Sequence, residues 1–294
     1  MAGMFLQQIR AAVAKLDPND IREAAERPVS IGLVASSSSS YNAMEDYFAP
    51  AAISRGKRWE TASVLYRVGD AGAPRTVDIE IYEEGLPGPP DAFSFSPGNP
   101  ERTVVQIIKQ REALGLPLAR RLFPFRQPVV DHVIRTIAKE NAVFALAAAI
   151  PDLMPNLMTM PWVIGEFASD TSFLTLNQVR MAFLIAAASD RPVGYREQRG
   201  QIGSIIAAAF GWRALARKMA AKIPFGAGVI PKAAVAFAGT YVEGLSLDRY
   251  NRVGYGFSRA ERQIAYERAL GDGAVAASRL LARLRDRRRD SQAE

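Results

Sequence analysis

The sequence predicts two kinds of structure in series: a small α/β unit with a three-stranded sheet, followed by a larger all-α domain of apolar helices. Three observations lead there. Residues 29–34, VSIGLV, are a short apolar run behind Pro28, the pattern of a buried strand. Residues 61–68, TASVLYRV, and 75–82, RTVDIEIY, alternate in character, with Val77, Ile79 and Ile81 on one face and Thr76, Asp78 and Glu80 on the other. From Asn99-Pro100 the period becomes that of helices, and long apolar segments follow.

Composition narrows the function classes. The 294 residues, 49% hydrophobic and 23% charged, suffice for two ordinary domains with separate cores and exclude a disordered chain. Without cysteine there are no disulfides, thiolate metal sites or cysteine nucleophiles. His132 is the single histidine and lies in the helical pattern PVVDHVIRTIAKEN, so zinc and Ser-His-Asp chemistry lack their usual residues. A formal charge of +7 favours anionic partners. No nucleic-acid module signature accompanies that charge, so a membrane surface is the expected partner and nucleic acid is not.

Residues 1–26 predict two helices. Leu6, Ile9, Val13 and Leu16 form one stripe, ended by Asp17-Pro18, and the segment lacks the charged and apolar regions of a signal peptide. It is expected to dock on the protein's own core, with membrane-surface binding as the alternative. Residues 27–98 form the α/β unit: the first strand, the loop ASSSSS, a short helix over Asn42 to Phe48, then a hairpin whose strands join through GDAGAP. The stretch GLPGPPDAFSFSPGNP reads as a linker.

Residues 99–257 form the helical domain. Val104, Ile107, Ile108 and Leu114 make its first inner stripe, and Pro128 starts a helix carrying Val130, Val133, Ile134 and Ile137. From Ala142 the segment AVFALAAAI is apolar all round, as required for deep burial in protein or in lipid. None of the later apolar segments offers eighteen uncharged residues in a row. Asp152, Lys232 and the prolines at 151, 155, 161, 224 and 231 interrupt them, predicting short helices or re-entrant turns. Residues 258–294 predict two helical pieces separated by GDG, the second carrying Leu280, Leu281 and Leu284 beside Arg279, Arg283, Arg285, Arg287, Arg288 and Arg289. Such a tail suits acidic headgroups.

The order strand, serine loop, helix and hairpin resembles the first half of a Ras-like or Era-like GTPase domain. The phosphate-loop pattern G-x-x-x-x-G-K-[ST] falls on Ala35, Ser40, Tyr41 and Asn42 without a gap. Every chemical position is therefore changed: two glycines have gained a Cβ, the lysine is a tyrosine, and the magnesium-binding hydroxyl is an amide. IYEEGLP keeps Gly85 of a D-x-x-G segment but has Tyr82 for the aspartate, and no N-K-x-D motif occurs. The resemblance implies a degenerate, nucleotide-free unit with no catalytic residue, no cofactor, no metal and no small-molecule substrate. A divergent NTPase or nucleotide-binding switch using Ser36 to Ser40 is the alternative, since their amides and hydroxyls could form an anion nest.

The stretches PWVIGEFASDTSFLTLNQVRMAFLIAAASD and AAAFGWRALARKMAAKIPFGAGVIPKAAVAFAGTYVEGLSLDR resemble the YcjF-like domain that follows Era-type GTPase domains in bacterial membrane-associated proteins. The likeness covers residues 120–255 and implies the cytoplasmic side of a bacterial inner membrane, with the cytoplasm as the alternative. Asp152, Glu166, Asp170, Asn177, Gln178 and Arg180 are its candidate polar cluster, a partner or ion site if the domain enters lipid. The structural reading has Asp170 capping a helix, Arg180 paired with a carboxylate and Gln178 tying helices together. Trp162, Trp212 and Tyr241 suit a membrane interface or a buried core equally. The function expected is a non-catalytic, membrane-associated scaffold or regulator, with a protein partner or homo-oligomer formed through the helices. A soluble helical interaction protein is the third class.

Overall fold

Of the two alternating stretches in the N-terminal half, only residues 65–67 and 79–82 are strand, Thr61 and Ala62 belonging to a helix, and the strands run parallel. A computed structural model describes residues 2–148, 170–208 and 229–293. Four strands, β1 (Ile31–Val34), β2 (Leu65–Arg67), β3 (Ile79–Glu83) and β4 (Phe93–Phe95), form one sheet in the order β2-β1-β3-β4. Every neighbouring pair is parallel, with Ile31 opposite both Leu65 and Ile79, and Ile81 opposite Phe93. Two expectations are corrected here: the sheet has four strands rather than three, and β2 and β3 do not pair as a hairpin.

The physical reason is that alternation reports one buried face and carries no information about strand direction. β2 and β3 lie on opposite sides of β1, and GDAGAP belongs to a crossover that takes the chain past β1. That crossover covers the strand closely. A Cβ on Gly32 would lie 2.7 Å from Val68 Cγ2 and 3.0 Å from Val77 Cγ2, so any larger residue there would have to displace these valine side chains. β4 emerges from the segment expected to be a linker, since three residues are too few to show a period.

Ile31, Leu33, Ile79, Ile81, Phe93 and Phe95 are buried along the sheet. Each such side chain contributes about 1.5–3 kcal/mol relative to exposure. Helix α3 (Ser38–Phe48) supplies Met44 and Phe48 to this core, with the Phe48 ring 6.0 Å from that of Phe95. Around it stand α2 (Pro18–Glu26), α4 (Arg55–Ala62), α5 (Pro100–Gln110) and, after a 3-10 turn, α6 (Gly115–Arg121). Val104, Ile107, Ile108 and Leu114 are buried as their spacing predicts. This compact unit comprises Asn19–Asp131 and Ala186–Pro192, and so extends past the boundary expected at residue 98.

The second unit comprises Met1–Pro18, His132–Ile185 and Val193–Glu294. Its helices are α1 (Ala2–Val13), the later part of α7 (Phe123–Ala147), most of α8 (Asp170–Ala188), α9 (helical residues 199–208), α10 (Val229–Val253) and α11 (Arg259–Ala293). Ile9, Ala12 and Val13 of α1 are buried, which agrees with a helix docked on the protein's own core. The Tyr195 hydroxyl donates to the carbonyls of Val13 and Leu16 where α1 ends. Ala138, Ala142, Ala145, Leu146, Ala233, Ala236, Phe237 and Ala277 build a core of mostly small side chains.

Two breaks expected from sequence do not occur. Pro231 lies within α10, whose described residues are helical on both sides of it. α11 runs unbroken through Gly271-Asp272-Gly273. Ser258 and Glu261 start it with reciprocal bonds, Ser258 N to Glu261 Oε2 at 2.8 Å and Glu261 N to Ser258 Oγ at 3.3 Å, a capping box; the hydrogen bond from Arg249, and then those of the box, hold the Glu261 pKa down at about 2. Among the described residues no helix is long and apolar enough to cross a membrane.

Candidate functional site

The strand order places a topological switch point between β1 and β3, because the chain leaves β1 toward one edge for β2 and returns to the other side for β3. In open parallel sheets ligands bind outside the carboxyl ends of the strands at such a point. The serine loop occupies it. Only Ala35, Ser36 and Ser37 connect β1 to α3, so residues 38–42 of the eight-residue pattern are already helical.

The five serines divide the work among them. Ser37 is the N-cap of α3 and its Oγ accepts from Ser40 N at 3.1 Å. Ser36 donates to Glu83 Oε2 twice, from N at 2.7 Å and from Oγ at 2.6 Å, and Ser40 Oγ donates to Oε1 at 2.7 Å. Ser38 and Ser39 face solvent. The Glu83 carboxylate therefore takes up donors that a phosphate would need, at the positive end of the α3 dipole. Its hydrogen bonds from the Ser36 hydroxyl, the Ser36 amide and the Ser40 hydroxyl hold its pKa below the ordinary carboxylate value.

Beside the loop Arg67 forms a two-pronged pair with Glu45, Nε to Oε1 at 2.7 Å and Nη2 to Oε2 at 3.0 Å. The same Nη2 donates to Asn42 Oδ1 at 3.3 Å, and the guanidinium carbon lies 4.9 Å from the Tyr41 ring centre. Tyr41 and Asn42, at the pattern's lysine and hydroxyl positions, are thus engaged with Arg67. Two carboxylates and one guanidinium leave this edge with a net charge of −1. Ala35 and Ser40 carry no backbone strain, since Asp190 alone among the described non-glycine residues has positive φ. Tyr82 turns to its neighbour Glu80, donating to Oε2 at 3.1 Å, and Gly85, with φ of 91°, serves the turn in which Leu86 N bonds Glu83 O.

Glu83, Glu45 and Arg67 are the site residues that motif matching misses. Glu83 had a legible signal: it continues the face of Ile79 and Ile81 and follows them at the strand's carboxyl end.

The second candidate cluster is partly visible. Asp152 and Glu166 lie outside the described residues, as do Trp162 and Trp212, and Asp170 is the first residue of α8 with its side chain outside the description. Arg180 Nη1 pairs with Glu140 Oε2 at 3.0 Å. Asn141 Nδ2 donates to Thr240 Oγ1 at 2.7 Å, Asn177 Nδ2 to Asn141 Oδ1 at 2.9 Å, and Gln178 Nε2 to Thr240 Oγ1 at 3.4 Å. These groups join α7, α8 and α10 by hydrogen bonds, which is the structural role foreseen for Gln178 and Arg180. Tyr241 is part-buried, its ring 5.8 Å from that of Phe237 and stacked on it. His132 is part-buried on α7.

Compared with protein-family models, with curated proteins and with solved structures, the chain matches none.

Proposed function

We propose that this chain is a non-catalytic, membrane-associated scaffold or regulator whose N-terminal unit carries a nucleotide loop closed by its own carboxylate. The observation that carries the first half is the Ser36–Ser40–Glu83 arrangement. Donors that would hold a phosphate already hold Glu83, no lysine stands in the loop, and the net negative charge of the edge opposes a polyanion. A three-residue connection also leaves little backbone to wrap a phosphate chain. The reading of this unit as a degenerate G-domain, and of the helical unit as YcjF-like, rests on the sequence stretches that suggest them.

A nucleotide-binding switch is the competing reading, favoured by the position of the loop at the β1/β3 switch point. Calorimetric titration with GTP and ATP in the presence of magnesium separates the two. The wild-type chain and a Glu83→Gln variant are both expected to give no binding heat, and a micromolar dissociation constant for either would establish the switch. Glu83→Gln has a second readout. Glu83 has a depressed folded pKa, so its contribution to stability is present above the ordinary carboxylate value and lost as pH falls through the folded one. The variant's stability should therefore fall less than that of the wild type across that acid range.

Membrane association is supported by the charge of +7 and by the arginine-rich end of α11. With no spanning helix among the described residues, attachment to the bilayer surface is the form of it that these residues support. Deleting residues 279–294 is expected to weaken cosedimentation with anionic vesicles, most at low salt. Unchanged binding would remove the tail from the account.

A further inference from the structure

Asp190 gathers cations at the end of α8. Asp190 follows α8 in the left-handed conformation, φ 57°, with its N–H on Ala187 O at 3.1 Å and the N–H of Arg191 on Ala186 O at 2.9 Å. This is a Schellman ending with aspartate where glycine is usual. Its carboxylate receives Lys57 Nζ at 2.6 Å and lies 3.7 Å from Arg120 Nε. Lys57 and Arg120 also reach Glu60 and Glu26, at 2.8 and 3.5 Å. Arg126 stands in the same neighbourhood, within the field of both Asp190 and Arg191.

Arg126 has no carboxylate within ion-pair distance among the described residues, and its Nε is buried without a hydrogen-bond partner. Its guanidinium carbon lies 5.8 Å from the ring centre of Phe123, which is 57% exposed. The Nε of Arg121, two residues before Phe123, is likewise buried without a partner. Burial without a counter-ion is costly for a guanidinium, and here it pushes the Arg126 pKa down, against the opposing field of Asp190. A phosphate would give the Arg126 guanidinium the anionic acceptor it lacks, in the two-pronged geometry that guanidinium prefers. The exposed ring beside it decides the source. A soluble anion has no use for Phe123, whereas the headgroup boundary of an anionic bilayer takes an aromatic ring and a guanidinium side by side.

We propose that Arg126 and Phe123, bordered by Arg120 and Arg191, form a docking site for the phosphate of an anionic lipid headgroup. The proposal rests on the membrane-surface reading above and names the surface that performs it. Its test is cosedimentation of the full chain with vesicles of phosphatidylcholine alone and with added phosphatidylglycerol. Wild type should prefer the anionic vesicles. Arg126→Gln should lower that partition about fivefold, the equivalent of about 1 kcal/mol for one basic residue near the surface. Phe123→Ser, at an exposed position, should lower it as well, and Arg126→Lys should recover only part of the loss. Trp59→Ser, which removes a ring that is 71% exposed on α4, should leave partition unchanged.

Thermal unfolding midpoints are measured alongside, and Arg126→Gln is expected not to lower its own. Should that variant fail to fold, Phe123→Ser alone decides. If wild type binds and both variants bind equally well, this surface is wrong while the membrane reading stands. If wild type binds neither vesicle, the membrane reading falls and takes the proposal with it. If millimolar inorganic phosphate raises the midpoint of wild type but not of Arg126→Gln, and vesicles do not bind, the site serves a free anion and the lipid assignment is overturned.

Discussion

Replacing Arg262 by methionine is expected to lower stability by about 3–5 kcal/mol at neutral pH, the range found when one partner of a buried ion pair is removed. Arg262 on α11 reaches three groups of the α10–α11 junction. Nη1 donates to Glu243 Oε2 at 2.5 Å, Nη2 to Ser246 Oγ at 3.2 Å and Nε to the Phe257 carbonyl at 3.3 Å. The Glu243 side chain is only 2% exposed, and burial raises its pKa despite the opposing attraction of Arg262. Removing the guanidinium removes that attraction and leaves the burial, so the carboxylate would be driven further toward its protonated form.

The sign of the pH dependence follows. A carboxyl with a raised folded pKa gives stability that is fully present below the unfolded value and is lost as pH rises through the folded one. The damage of Arg262→Met should therefore be greatest at neutral pH and shrink on acidification. The double variant Glu243→Gln, Arg262→Met should recover most of the loss, since no buried charge remains. Urea unfolding of wild type, Arg262→Met and the double variant at neutral and acid pH measures this directly. A single variant as stable as wild type at neutral pH would mean that Glu243 finds water or another donor.

How much of this was legible in the sequence depended on whether the pattern named a face or a partner. Faces were legible. Ile79 and Ile81, Val104 and Ile107, Ile9 and Val13 are buried where their spacing predicts. Partners were not, because strand direction and order come from what lies between the strands. Gly32 is the example: Val68 and Val77, at the two ends of the crossover between β2 and β3, pack where its Cβ would be, and nothing in VSIGLV names them as its neighbours. The phosphate-loop comparison drew attention to the carboxyl end of β1 but not to the residues that meet it there. Ala35, Ser40, Tyr41 and Asn42 do lie at the strand ends, yet Glu83 and Arg67, distant in sequence, set the charge there. In the helical unit the polar residues Gln178 and Arg180 were found from sequence, but nothing singled out Asn141, at the end of the stretch PVVDHVIRTIAKEN, or Thr240, within an apolar segment, which bond the same network.

Glycine in α11 shows the same limit in a form that can be measured, through two substitutions two residues apart with opposite expected signs. Gly271 and Gly273 both interrupt a helical pattern, and propensity alone favours alanine at each by about 1 kcal/mol. A Cβ at Gly271 would meet nothing within 4 Å, so Gly271→Ala should raise stability by up to about that amount. A Cβ at Gly273 would lie 2.7 Å from the Ala234 carbonyl oxygen and 3.3 Å from its Cα. Those are backbone atoms of α10, and no side-chain rotation can move them aside. α11 would have to lift away along the face that holds Ala277 and Phe237, a disturbance that costs about 1–3 kcal/mol in a packed core and outweighs the gain in propensity. Gly273→Ala should therefore lose stability and Gly273→Leu should lose more. Denaturant midpoints for the three variants decide the matter: stabilisation by both alanine substitutions would mean that α10 and α11 do not approach as closely as the glycine requires.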